Sequence, residues 1–310
     1  MGESANSLVI GTRGSALARW QAEHVQASLQ AAHPGLTVTL KIISTTGDEI
    51  RDRPLHQIGG KGLFVRAIEQ QLLDRSVDIA VHSYKDMPAF APEGLVIAAT
   101  PERADPRDAL VGPPGTTLQG LPAGARLGTG SLRRGALAIR LNPAIEVVPI
   151  RGNVPTRVGK VDEGELDAVL LAAAGLTRLG MGERIAEMLD PATFCPAPAQ
   201  GILALQCRDD DDRAKEVLAV LADATATIAA AAERGFVRRL GASCSVPVGC
   251  HATVDGDEVT VRGLVIDPGG DPVFEDTVHG AASEAEALGT DLASALMDRG
   301  AAEVIARLQH

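Results

Sequence analysis

Two distant stretches of the chain are built to one plan. SLVIGT, residues 7–12, is a short apolar run that enters RGSALARWQAEHVQASLQAAHPG, where Leu17, Trp20, Val25 and Leu29 recur at helical spacing before a Pro-Gly stop. ARLGTGS, residues 125–131, enters LRRGALAIRLN in the same way. A strand, a Gly/Ser turn and a helix, followed by more of the same, is the rhythm of a parallel-rich α/β sheet.

The segments between and after these fit that rhythm. TVTLKII, VDIAVHS and GLVIAAT read as strands and FVRAIEQQLL as a helix; IEVVPI, helical NVPTRVGKVDEGE, the strand DAVLLA and AAGLTRLG make a second series. Thr100–Gly115, TPERADPRDALVGPPG, gathers proline, charge and glycine and is expected to be a crossover or hinge. Phe194–Gly201, FCPAPAQG, is the second crossover, after which ILALQCR is expected to return to the first sheet. From about Ala224 the character changes to an alanine-rich helix ending at Leu240, the segment GASCSVPVGC, three alternating strands in VGCHATV, EVTVRGLVI and PVFEDTV, and a terminal helix. The expected fold is α/β: two domains resembling those of periplasmic binding proteins, joined by two crossovers, plus a small α+β C-terminal domain with a three-stranded sheet. The expected bounds are 1–102 with 201–222 for domain 1, 103–200 for domain 2 and 223–310 for domain 3.

With 310 residues the chain exceeds what one core organises, and 22% charged residues fit an ordinary globular protein. A net charge of −11 argues against general nucleic-acid or anionic-membrane binding. No apolar run reaches the roughly 18 residues of a membrane span. MGESANSLVIGTRG lacks the basic and apolar regions of an export signal, so the expected location is cytoplasmic. Cys195, Cys207, Cys244 and Cys250 are irregularly placed, which favours free thiols over disulfides.

The arginines are concentrated in short Gly- and Ser-containing segments. GTGSLRR places Thr129, Ser131, Arg133 and Arg134 at a helix start, where backbone N–H groups, hydroxyls and guanidiniums together suit an anion; the plain alternative is a capped helix with surface arginines. TRGS repeats the design with Arg13 and Ser15, while Arg151, Arg157 and Arg178 also fall near strand ends, where open α/β sheets bind ligands. HSYKDMP delivers Lys85 and Asp86 at the end of an apolar strand, Asp86 either as a proton shuttle or as a turn cap beside a surface lysine. QIGGKGLF is no nucleotide P-loop, since Gly62 follows Lys61; IRDRPLHQIGGKG instead suits a mobile covering loop. Cys244 lies between small residues in a loop and is open to several readings, as buried filler, half of a disulfide, metal ligand or nucleophile. Cys244 and Cys250 have five residues between them, too many for the tight spacing of structural zinc, and no metal is expected.

TRGSALARWQ, GGKGLFVRAIE, DIAVHSYKDMP, GTGSLRR, RGNVPTR, AAAGLTRLG, PAPAQGILALQ and GASCSVPVG, in that order, resemble the hydroxymethylbilane synthase (porphobilinogen deaminase) family over nearly the whole chain. The resemblance implies a monomeric transferase of tetrapyrrole biosynthesis. It would join four porphobilinogen units head to tail, with loss of ammonia, onto a dipyrromethane cofactor held by a thioether at Cys244, and release the linear product by hydrolysis. It further implies that Asp86 is catalytic. Lys85, Thr129, Ser131, Arg133, Arg134 and Arg157 would hold the cofactor, and Arg13, Ser15, Arg151, Arg157 and Arg178 would bind the substrate or the growing chain. The chemistry agrees, because an oligopyrrole bearing acetates and propionates needs a guanidinium-rich cleft. Two positions depart from the family: Gly130 stands where a second serine is frequent, and Tyr84 where the residue is more often aliphatic. The competing readings are a two-lobed solute-binding protein without catalysis, which has no use for Cys244 or HSYKDMP, and an arginine-rich regulator sensing an anionic metabolite.

Overall fold

A computed structural model describes residues 6–44, 65–241 and 246–309. Along the chain run β1 (Ser7–Arg13), α1 (Ala16–Ala32), β2 (Thr37–Ile43), α2 (Arg66–Leu73), β3 (Ile79–Ser83), β4 (Leu95–Ala99), β5 (Asp108–Val111), β6 (Arg126–Thr129) and α3 (Leu132–Leu141). They are followed by β7 (Glu146–Pro149), α4 (Val154–Asp162), β8 (Ala168–Ala172), α5 (Ala173–Arg178), β9 (Ile185–Met188), β10 (Leu203–Arg208), α6 (Asp212–Ala219) and α7 (Ala224–Leu240). The last elements are β11 (Val248–Asp255), β12 (Glu258–Ile266), β13 (Val273–Ala281), α8 (Ala285–Leu296) and α9 (Ala302–Gln309). The chain divides into two compact units, Met1–Arg103 with Ile202–Thr227 and Ala104–Gly201 with Ile228–His310.

The first unit holds one five-stranded sheet in the order β2-β1-β3-β10-β4. β1 is parallel to β2 and β3, whereas β10 runs antiparallel to β3 and β4, so ILALQCR does return to the first sheet. One face packs on α1 and α6 through Ala22, Val25, Leu29, Ala214 and Leu218, and the other on α2 through Ile68 and Leu72. α1 buries Gln21, Ala22, Val25 and Leu29. Trp20 is instead half-buried and stacks on His24 with ring centroids 5.1 Å apart.

In the second unit a five-stranded sheet has the order β7-β6-β8-β5-β9, with β6 parallel to β7 and β8 and with β5 antiparallel to β8 and β9. Both sheets therefore share one scheme, three parallel strands flanked by an antiparallel fourth. Two of these strands correct the sequence reading. β5 lies inside the segment expected to be only a crossover, and β9 was not anticipated in ERIAEM. DALV is too short and too close to prolines to announce itself, yet all of its residues are buried.

The second unit also contains the antiparallel sheet β11-β12-β13, packed on α7 and α8 through Phe236, Val261 and Leu292. Leu264 and Ile266 of β12 join the core beneath α3, so this sheet and the second α/β sheet share buried surface. The β11–β12 hairpin closes from Asp255 to Glu258, with Gly256 at φ 57°, the left-handed conformation a tight hairpin turn demands.

Candidate functional site

In the first unit, the parallel strands β1 and β3 end side by side. Arg13 closes β1, Ser15 caps α1 by accepting from Ala18 N at 3.3 Å, and Ser83 closes β3. The chain then makes a single 3₁₀ turn, Tyr84–Asp86, held by Tyr84 N donating to Ile202 O at 3.0 Å and Met87 N donating to Tyr84 O at 3.2 Å. Arg13, Ser15 and Asp86 line one pocket of about 80 Å³, together with Gln21, His82 and Ser83. Asp86 is exposed, and Arg13 and Ser15 are half-buried. Lys85 occupies the same turn, half-buried. Tyr84 packs against Val65, Met87 and Ala204, so its ring is an apolar prop under the turn.

Behind the pocket lies a buried polar chain. Gln206 Nε2 donates to Glu69 Oε1 at 3.1 Å, and His82 Nε2 lies 3.0 Å from Gln206 Oε1. Burial pushes the His82 imidazole down to about 4, the Gln206 contact opposing and the Arg13 charge adding to the effect, so the ring is neutral at physiological pH. Burial likewise raises the Glu69 carboxyl above its ordinary range, against Gln206 and Arg66.

The second unit sets its arginines in the turns and helices that follow its parallel strands. Thr129 ends β6, and its Oγ1 accepts from Ser131 N at 3.2 Å; Ser131 caps α3 by accepting from Arg134 N at 3.4 Å. A Cβ at Gly130 would sit 2.9 Å from Ile150 O, so backbone proximity suits the glycine found there. Arg151 follows β7 and is half-buried. Arg157 Nε donates to Gly152 O at 2.8 Å from within α4, and Arg178 Nη2 donates to Gly201 O at 2.9 Å from the end of α5. Burial lowers the Arg178 guanidinium to about 10, which leaves it fully charged at neutral pH.

Arg133 and Arg134 are placed differently from the surface position that a helix start suggests. Both are buried against Asp108 of β5: Arg133 Nη1 donates to Asp108 Oδ2 at 2.7 Å and to Cys195 O at 2.7 Å, and Arg134 Nε donates to Asp108 Oδ1 at 2.8 Å. Gln200 closes the cluster, donating to Asp108 Oδ1 at 2.9 Å and accepting from Arg134 Nη2 at 3.1 Å. Burial would raise the Asp108 carboxyl, but the two guanidiniums hold it well below the usual carboxylate range. The Nε and Nη2 groups of Arg133 make no hydrogen bond among the described residues, and they form the edge of a guanidinium that takes a carboxylate bidentately.

This donor set suits a polyacidic cofactor. Helix-start N–H groups, two hydroxyls and a guanidinium edge supply directed donors, while buried Asp108 fixes the arginines that carry them. A larger depression of about 560 Å³ in the second unit, edged by Pro113, Thr117, Leu166 and Asp167, carries no cation and does not fit an anionic ligand. Cys244 and the loop IRDRPLHQIGGKG lie outside the described residues. Cys195, Cys207 and Cys250 are buried, and burial pushes the Cys195 thiol up to about 12 and that of Cys207 to about 11. The sequence does not single out Asp108, Gln200, Gln206 or Glu69, because their partners are distant in the chain, whereas His82 lies within HSYKDMP, the strand-end segment read as a plausible catalytic position.

The fold is α/β, and its donor set is of the class that suits a polyanionic ligand. Residues 8–216 match the family described as "Porphobilinogen deaminase, dipyromethane cofactor binding domain", and residues 227–298 match "Porphobilinogen deaminase, C-terminal domain". The porphobilinogen deaminase of Syntrophotalea carbinolica is 49% identical over 305 residues, 98% of this chain and 97% of that protein. That of Roseiflexus sp. is 48% identical over 300 residues, 97% of this chain and 99% of that protein. Among solved structures, the methionine-binding protein MetQ is 14% identical with a TM-score of 0.44, covering 70% of this chain and 90% of that one, a likeness too distant to argue from. The chain belongs to the porphobilinogen deaminase family. It is accordingly a transferase of tetrapyrrole biosynthesis that condenses porphobilinogen units and uses a dipyrromethane cofactor.

Proposed function

We propose that Asp86 performs the proton transfers of this condensation and that Cys244 anchors the cofactor. The observation that carries the first assignment is that Asp86 shares its pocket with Arg13 and Ser15 at the ends of two parallel strands. Arg13 pairs with a substrate carboxylate and Ser15 adds a hydroxyl donor, which orients the aminomethyl group of porphobilinogen toward the Asp86 carboxyl. Asp86 then assists departure of the amine as ammonia, pairs with the positive charge that develops on the pyrrole, and removes the α-proton after coupling. When bound, the dipyrromethane supplies the pyrrole α-carbon to which the units are joined. Arg133, through its Nε–Nη2 edge, and Arg134, Thr129, Ser131, Lys85 and Arg157 hold its carboxylates. Arg151, Arg157 and Arg178 bind those of the growing chain.

The division into domains 1–102 with 201–222, 103–200 and 223–310 is part of the same reading, as are a monomeric state, a cytoplasmic location and the absence of nucleic-acid or membrane partners. The net charge of −11 supports the absence of nucleic-acid and membrane partners, and the irregular cysteine spacing supports a cytoplasmic location. Among the described residues no helix is long and apolar enough to cross a membrane.

Intact-mass spectrometry tests the anchor: the purified protein should be heavier than its sequence by one dipyrromethane, and Cys244→Ser should lose that mass and the activity together. Asp86→Asn should keep the cofactor mass and lose nearly all turnover. Wild-type turnover in Asp86→Asn would exclude the proton-transfer role.

A further inference from the structure

His82 is more than nine-tenths buried, lines the pocket that holds Asp86 and Arg13, and is not used by the chemistry above. Its Nε2 is committed to Gln206 Oε1 at 3.0 Å. Gln206 is itself oriented, because its Nε2 donates to Glu69 Oε1 at 3.1 Å, which leaves its carbonyl to face the imidazole. A carbonyl can only accept, so His82 Nε2 carries the hydrogen and Nδ1 carries the lone pair. Nδ1 makes no hydrogen bond among the described residues. All three residues are buried, and His82 and Gln206 sit on adjacent strands, with Ala204 opposite His82 in the register. A chain of three buried polar groups is costly to assemble unless its last member is satisfied as well.

We infer that the Glu69–Gln206–His82 chain fixes His82 in its Nε2–H tautomer, so that Nδ1 accepts a hydrogen bond from an N–H group of the porphobilinogen bound beside Asp86. This rests on the reading of the pocket as the reacting site. His82 is then a substrate contact, while Gln206 and Glu69 are positioning residues that act through it. Asp86 and His82 divide the work, the carboxylate moving protons and the imidazole accepting without becoming charged.

Asparagine places its carboxamide near the position of Nδ1, and glutamine near that of Nε2. If Nδ1 meets substrate, kcat/KM of His82→Asn should exceed that of His82→Gln by about tenfold, with much of the difference in KM. If His82 serves only to satisfy Gln206, the order reverses, and that result overturns the inference. Cofactor mass and thermal midpoint identify any variant that has not folded. The wild-type holoprotein provides a measurement that needs no variant: with ¹⁵N-labelled histidine, His82 should show a protonated Nε2 and a bare Nδ1 whose resonance shifts on adding one equivalent of porphobilinogen. A protonated Nδ1, or an Nδ1 unmoved by porphobilinogen, overturns it. Asp86→Asn separates the two levels: wild-type turnover there removes the pocket reading and this role with it, whereas an inactive Asp86→Asn beside a superior His82→Gln removes this role alone.

Discussion

Single residues in this protein do their work through buried charge and its absence. Asp108 is fully buried between two guanidiniums, and removing one partner from such a cluster is far costlier than the cluster is worth in stability. Asp108→Asn should therefore cost about 3–5 kcal/mol in chemical denaturation, against about 0.5 kcal/mol or less for removing the exposed partner Asp210 of Arg75. Equal losses from the two changes would refute that ranking. His82 is a buried base held at about 4, below the ordinary 6.5, so the unfolded chain takes up the proton first as pH falls. Its contribution is complete above pH 6.5, is lost progressively down to about 4, and amounts to about 3 kcal/mol over that window. The stability difference between wild type and His82→Asn, followed by denaturation from pH 7 to 4, should shrink accordingly; a difference independent of pH would contradict it. That Arg13 and Asp86 fall beside strand ends was readable in the sequence, because each sits in a short polar segment that follows an apolar run. Asp108 and Gln206 were not, since their meaning comes from Arg133, Arg134 and Glu69, which lie far from them in the chain.

At the scale of elements, alternation and helical spacing suffice wherever a strand or helix carries its own boundary signals, as β1, α1 and the β11–β12 hairpin do. They fail at β5 and β9, strands of four residues each whose existence depends on neighbours, β5 being held by hydrogen bonding to β8 on one side and β9 on the other. Close helix packing is likewise invisible in sequence until coordinates show it. A Cβ at Gly289 of α8 would lie 1.9 Å from the carbonyl oxygen of Ala232 on α7, a distance at which backbone must move. Gly289→Ala should consequently destabilise the second unit by about 2 kcal/mol or more, despite the better helix propensity of alanine. A gain of stability, read from the denaturation midpoint, would show that α7 and α8 are packed more loosely than this.

For the whole molecule, an acidic chain with a net charge of −11 sets Arg13 and Arg151 at strand ends and buries Cys195, Cys207 and Cys250. Both sheets order three parallel strands before an antiparallel fourth, and in each the fourth strand borders a crossover: β5 follows the first passage between units and β10 follows the second. This arrangement has a consequence for cysteine chemistry, because Cys207 is built into β10, Cys195 into the second crossover and Cys250 into β11, all inside cores. A thiol must ionise to attack, and burial holds Cys195 at about 12 and Cys207 at about 11 while Cys250 has no exposed surface. An alkylating reagent at neutral pH should therefore label no thiol in the native holoprotein. After denaturation it should label Cys195, Cys207 and Cys250, whereas Cys244 should stay unmodified and its peptide should carry the dipyrromethane mass. Protein purified without the cofactor should instead react at Cys244 while still folded. Native labelling at any of the three buried cysteines would show that burial does not keep it unreactive, and alkylation of Cys244 in denatured protein that retains the adduct would place the anchor elsewhere.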